Sequence, residues 1–361
     1  MTATVVANDY SLTGERSKQA IANGLAHISG AKWYASPIPR KRMKELMARS
    51  DGPAIRDTAI WFGLILTFGA LGVLTWGTWW AVPVFAVYGV LYGGSSDSRW
   101  HESGHGTAFK TRWMADALYQ VASFMVLRRP TVWRWSHSRH HTDTIIVGRD
   151  PEIITSRPPD FLGLALNLFN LKGGAHELAG VVRNAFGRLG EEEATFIPEM
   201  ERSKVYREAR VWLAIYAAVI GTAVATRSWL PLMLVGLPSF YGAWFYLFTG
   251  LTQHIGLAED VLDHRLNSRT VMMNPVLRFL YWNMNYHVEH HMFPMVPYHA
   301  LPKLHEEMRN ELPYVYPSVW SAYREIIPTL WRQRKDPTYF IRRELPAVMA
   351  AREAARLKAA A

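Results

Sequence analysis

The chain is expected to be an all-α integral membrane protein: four transmembrane helices in two hairpins, beneath a helical cap that holds a histidine-rich site. Three features lead there. No Lys, Arg, Asp or Glu occurs from Thr58 to Gly94. Only Arg227 interrupts a second uncharged run, from Val211 to Thr249. The third feature is three histidine clusters: His101-Glu102-Ser103-Gly104-His105, His137-Ser138-Arg139-His140-His141 and Tyr286-His287-Val288-Glu289-His290-His291.

Each apolar run is too long for one span of about 20 residues and long enough for two. Trp76-Gly77-Thr78-Trp79-Trp80 and Thr226-Arg227-Ser228-Trp229 supply turns with interfacial aromatics. The expected spans are 57–74, 79–94, 211–226 and 229–251. Of 40 Lys and Arg residues only Arg227 falls in an outer turn, so the termini and all three clusters are expected on the cytoplasmic face. The membrane would be a bacterial inner membrane. The chain then divides into a leader with an interfacial helix (1–56), a membrane domain (57–312) and a tail (313–361).

Composition narrows the classes. The 361 residues are 49% hydrophobic with a mean hydropathy of −0.05, an average that hides apolar blocks separated by basic loops. A net charge of +10 suits an anionic membrane surface; no nucleic-acid motif accompanies it, so no nucleic-acid partner is expected. The absence of cysteine excludes disulfides, thiolate ligands and a cysteine nucleophile.

Residues 1 to about 30 read as a loosely ordered leader, and residues 1 to 50 lack the apolar core of a cleavable signal peptide. The basic stretch Pro37-Ile38-Pro39-Arg40-Lys41-Arg42 should face anionic headgroups. Residues 161–169 are apolar but short and suit an interfacial or re-entrant helix that walls an entrance for an amphiphile, with plain core packing as the alternative. Glu191-Glu192-Glu193 reads as solvated surface, His299 and His305 as surface or packing residues, and 347–361 as a frayed helix.

On a helix, residues three and four apart share a face, so each cluster turns its imidazoles to one side. Neutral imidazole is the commonest metal ligand and suits iron, copper and zinc. Eight such histidines exceed one coordination sphere, which points to two metals with about four protein nitrogens each. His254 follows the fourth span much as His101 follows the second.

The residues His101 and His105, then His137, His140 and His141 after Trp133-Arg134, then His287, His290 and His291 within Asn285-Tyr286-His-Val-Glu-His-His-Met-Phe-Pro resemble the membrane fatty-acid desaturase and hydroxylase superfamily. That superfamily also includes alkane hydroxylases and carotenoid-modifying enzymes. The resemblance covers roughly residues 53–312. It implies a non-haem di-iron centre that activates dioxygen, and His254 as a ninth ligand. Some relatives carry an asparagine four residues before that histidine; Gly250 stands there in this chain, so that ligand is not carried over.

Glu102 and Glu289, inside the clusters, are candidates to orient the imidazoles by accepting their N–H groups, with Asp143 and Asp150 as weaker candidates. The expected reaction is oxidation of an unactivated C–H bond, foremost desaturation of a fatty acyl lipid or related amphiphile. Hydroxylation or oxidative demethylation of a lipid or smaller amphiphile is the alternative. A non-catalytic membrane metal-binding protein is disfavoured, because its ligands would lie at mid-bilayer rather than outside the spans. With no haem, flavin or dinucleotide motif, the two electrons should come from NAD(P)H through a separate ferredoxin- or rubredoxin-type carrier and its reductase.

Overall fold

The computed structural model describes residues 9–22 and 32–347, so the frayed-helix expectation for 347–361 falls almost wholly outside the described residues. Within the leader, Glu15–Ala22 forms a helix (α1). Leu12 and Ser17 are buried and the Tyr10 hydroxyl donates to Glu259, so residues 10–17 are packed rather than loose. Then come Arg40–Leu46 (α2) and Asp51–Leu74 (α3). Helix α3 starts six residues before its apolar window because Ser50 turns the chain in and Asp51 binds the Thr111 amide and hydroxyl.

Two helical stretches, Arg40–Leu74 and Glu199–Thr226, are long and apolar enough to cross a membrane. Only 22% and 11% of their apolar windows is buried, the reverse of a core helix in a soluble protein. The second contains Arg202–Thr226 (named α10 below), longer at its start than the expected 211–226. The other two expected spans are interrupted helices. The second runs as Ala81–Gly89 (α4), a π-helical turn at Val90–Gly94 and then Ser96–Gly104 (α5). The fourth is broken into Leu230–Leu234, Pro238–Tyr241 and Ala243–His254 (α11 below).

The breaks lie where the two stretches pack against each other. Gly242 lies against Gly89, where an added Cβ would stand 1.9 Å from the Gly89 carbonyl oxygen. A Cβ on Gly93 would stand 2.1 Å from the Pro238 carbonyl. Backbones this close need side chains of zero length, the small-residue packing of membrane helices, and a π turn is a common source of a local bend. The crossing sets the two stretches side by side, with His101 and His254 near the C-terminal ends of α5 and α11.

The cap is built from Arg112–Val126 (α6), Pro130–Thr142 (α7), Phe161–Asn167 (α8) and Leu171–Ala185 (α9), which precede α10. After α11 come Pro275–Leu280 (α12), His287–Met292 (α13), Leu301–Met308 (α14) and Val319–Lys335 (α15). Among the described residues strand pairing is limited to two isolated bridges, Thr270 with Tyr286 and Val271 with Tyr316. Arg99 is fully buried on α5 and donates to the carbonyls of Ser95, Phe279 and Leu280, which ties α5 to α12.

Glu193 departs from the solvated reading of its triplet. It is buried, accepts the Gly190 amide, and shares Arg129 with Glu177. Arg129 stands just before α7 and reaches Glu177 and Asn184 on α9, so this ion cluster fixes the histidine-bearing helix to its neighbour. Removing one member of a buried ion cluster leaves uncompensated charge at a cost of about 3–5 kcal/mol. Arg129→Ala should therefore lower stability by at least about 3 kcal/mol. Denaturant unfolding in detergent measures this; a loss below about 1 kcal/mol would mean the carboxylates find other partners.

Candidate metal centre

Four helices deliver nine imidazoles to one buried region. α5 brings His101 and His105, α7 brings His137, His140 and His141, α11 ends on His254, and α13 brings His287, His290 and His291. They sort into two groups that could each hold a metal ion: His101, His105, His137, His141 and His290, and then His140, His254, His287 and His291. Within each group the candidate ligand atoms lie within 4.8 Å of one another. Each H-x2-H-H cluster divides itself. The i, i+4 pair His137/His141 serves the first group and His140 crosses to the second. His287/His291 serves the second group and His290 crosses to the first.

A cavity of about 640 Å³ reaches both groups, touching His101 and His137 of the first and His140, His254 and His287 of the second. Gly250 lines it, so the position where some relatives carry an asparagine is open space here. Another cavity, about 470 Å³, meets only the first group, at His101, His105, His137 and His141.

A family model for fatty acid desaturases matches residues 77–323, about two thirds of the sequence and all nine of these histidines. The chain belongs to the fatty acid desaturase family. It is similar to a Delta(9) fatty acid conjugase-like enzyme of Dimorphotheca sinuata, 24% identical over 66% of this chain and 70% of that one. It is also similar to the Delta(8)-fatty-acid desaturase 2 of Arabidopsis thaliana, 22% identical over 74% and 67%. A Delta(12)-oleate desaturase of Trichosanthes kirilowii is 24% identical over 70% of this chain and 75% of that one. Family membership makes the protein a desaturase-like, lipid-modifying oxidoreductase.

The hydrogen bonds of the desaturase centre tell which ring nitrogen faces inward. His137 Nδ1 lies 2.9 Å from Glu152, His140 Nδ1 2.8 Å from Asp150, and His254 Nδ1 2.8 Å from the Asn267 carbonyl. Carboxylates and carbonyls only accept, so each Nδ1 carries the proton and each Nε2 turns a lone pair to the centre. Thr144 spends its hydroxyl proton on the His140 carbonyl, which leaves its oxygen free to accept from His291 Nδ1 at 3.3 Å. His101 Nε2 stands 2.7 Å from His290 Nε2 and 3.1 Å from His137 Nε2, an approach of acceptors that a shared cation would relieve. On that chemistry the residues fit a metal pair.

Two expectations about carboxylates change. Glu289 lies well round α13 from the three histidines and faces away from the centre, accepting from Thr270 and from His305 Nδ1, each at 2.5 Å. His305 is thus the packing residue of the two expected alternatives, a buried partner of Glu289, while His299 is half-buried. Asp143 pairs with Arg139 and Arg149 and touches no cluster imidazole. Asp150 and Glu102 do face the clusters, Glu102 at 3.3 Å from His290 Nδ1. Glu152, Thr144 and the Asn267 carbonyl are the additions. The sequence signal for Glu152 is only its place two residues after Asp150. His264, stacked on Trp33 and 5.2 Å from the His291 ring by centroids, lies outside both groups.

Burial, then mutual repulsion, holds His101, His141, His287, His290 and His291 well below the usual imidazole range, and burial does the same foremost for His105 and His254. His140 also loses solvation, but Asp150 and Glu152 outweigh that and raise it. Glu102 is pushed up to about 8 by burial. Glu152 is brought down to about 2, the cationic forms of its histidine neighbours and Arg128 overcoming burial. A depressed imidazole stays neutral in the folded state while the unfolded chain takes up protons below about pH 6.5. Stability is then lost as pH falls through 6.5. His140 and Glu102 act in the opposite sense but are outnumbered. The metal-free protein should therefore melt progressively lower between pH 7.5 and 5.5; a flat or rising profile would contradict the seven-residue assignment.

Asp150→Ala tests the orienting hydrogen bonds. It removes the carboxylate oxygen that accepts from His140 Nδ1 and the Ile145 amide. Loss of such a partner typically costs 10–100-fold in metal affinity. Titration against a competing chelator should show that drop, with the fold retained by circular dichroism.

Proposed function

We propose that the chain is a dioxygen-dependent, non-haem di-iron oxidoreductase that oxidises an unactivated C–H bond, foremost by desaturating a fatty acyl lipid or related amphiphile. The observation that carries this reading is the pair of imidazole groups, five and four strong, opening on one cavity. All nine histidines would serve as ligands, His254 included. When bound, two iron ions would supply the redox chemistry that activates dioxygen.

The protein's own part is positioning. Glu152, Asp150, Thr144 and the Asn267 carbonyl fix four rings by their Nδ1 protons. Val126, Leu127, Leu164 and Leu247 give the cavity apolar walls that suit an alkyl segment, while Trp100 and Trp133 narrow it beside His101 and His137. Holding one carbon at a fixed distance from both groups is what separates removal of a second hydrogen from oxygen transfer. Glu102, with its pKa near neutrality, can hold or release a proton opposite His290 Nδ1.

Four spans in two hairpins, with termini and site on the cytoplasmic side, are part of the proposal; the two interrupted helices would complete the hairpins. Electrons would arrive from NAD(P)H through a separate ferredoxin- or rubredoxin-type carrier, since a cysteine-free chain cannot hold a cysteine-ligated cluster. Hydroxylation or demethylation of a smaller amphiphile draws support from the polar cavity wall, where Asp97, Arg128, Glu152 and Glu177 stand among the apolar groups.

Protein from iron-replete cells should contain close to two iron equivalents per chain. With carrier, reductase and labelled dioxygen, mass spectrometry of cell lipids and small metabolites should find a product two mass units lighter and without label. Incorporated label would assign hydroxylation instead. One iron per chain, or turnover from NAD(P)H with no second protein, would sink the proposed enzyme.

A further inference from the structure

We propose that α15 is an interfacial helix whose outer stripe binds the anionic headgroup layer of the membrane on the histidine side. Its last turns, from Arg324, lie beyond the segment matched by the family model. At 100° per residue, Trp320, Arg324, Ile327, Trp331 and Arg334 fall within about 80° of arc. All five are exposed, Trp320 at 65% and Trp331 at 59%. The opposite face, Ala322, Ile326, Thr329, Leu330 and Gln333, is buried. Large apolar side chains alternating with arginines, on one face of an otherwise packed helix, match a surface that is apolar below and anionic above.

The helix also sits at the right level. Tyr323 stacks on Phe248 of α11 at 4.9 Å between centroids and donates to its carbonyl. Phe248 lies six residues, about 9 Å, before His254 within the unbroken helix α11, so α15 docks at the end of α11 that delivers a cluster imidazole. The surface continues beyond α15. Phe161 of α8 packs on Trp331 at 4.8 Å, and Leu162 and Leu166 point outward while Gly163, Leu164 and Asn167 line the large cavity. Asp160 and Lys172, both exposed and ion-paired, stand where that cavity opens. The bound headgroup layer would therefore lie beside the cavity mouth, where a bilayer-resident amphiphile is already concentrated.

The inference needs the chain to sit in a membrane but not to catalyse any reaction. Its test is fluorescence quenching in lipid nanodiscs, on intact protein and on Trp320→Phe/Trp331→Phe. Phosphatidylcholine brominated near the headgroup should quench the intact protein more than the double variant. Adding phosphatidylglycerol should enlarge the difference, and Arg324→Gln/Arg334→Gln should weaken that response by roughly fivefold per charge removed. Size-exclusion profiles identical to the parent verify that these surface variants fold. Equal quenching of the parent and the Phe variant would place the stripe in water and overturn the proposal. So would indifference to phosphatidylglycerol, or protection of the tryptophans only when a protein electron carrier is added.

Discussion

Nine imidazoles with ring nitrogens turned toward one another form a surface suited to cations. Acceptors held about 3 Å apart, as His101, His290 and His137 are, gain nothing from one another unless a proton or a metal lies between. Burial disfavours the proton, since a charged imidazole there would be desolvated and set among other imidazoles. The site therefore discriminates by charge density: it resists several dispersed protons and suits two compact dications. Three helix C-termini, those of α5, α7 and α11, converge on it, and their partial negative charge adds to the same preference.

That requirement passes downward into the fold. Imidazoles meet only if α5 and α11 run side by side, and the glycine contacts at Gly89, Gly93 and Gly242 let their stretches come that close. Both stretches are interrupted near those contacts, so elements that feed the site are less regular than α3 and α10, which carry no clustered histidine. Long regular helices serve as the frame here, and broken ones serve as the arms. Arg99 and Arg129 then lock the arms with buried hydrogen bonds and ion pairs, a few residues before His101 and His137.

Histidine spacing made the centre legible because a helix converts i, i+3 and i, i+4 into a shared face without help from tertiary structure. The division of five against four was not legible. It depends on the angle at which α7 and α13 face each other, which lets His140 and His290 each cross to the other group. Glu289 misled for a related reason: adjacency in sequence placed it beside ligands, while helix geometry turned it toward His305. Glu152, in a turn, and Glu193, in the one-turn helix Glu191–Ala194, are charged residues whose burial follows from partners at a distance, His137 and Arg129. Of the four expected spans, two stand as helices long and apolar enough to cross a membrane; the interruptions of the other two were not legible, because they lie where the runs pack on each other.

Gly250 ties the centre to the cavity. The residue four before His254 faces the same way along α11, and with a side chain it would project toward the space beside the second imidazole group. An added Cβ would meet only the Ile154 side chain, at 4.0 Å, so nothing in the packing demands glycine here. Conformation does not demand it either, since the residue lies inside a regular helix, where glycine costs up to about 1 kcal/mol against alanine. A helix that accepts this cost without a steric reason at the backbone is keeping volume free. The cavity gains room at the second group beside His254, while Trp100 stands against His101 and His137 of the first. The two groups are thus unequal in ligand number, five against four, and in surroundings: the larger cavity touches both, and the other meets the first group alone.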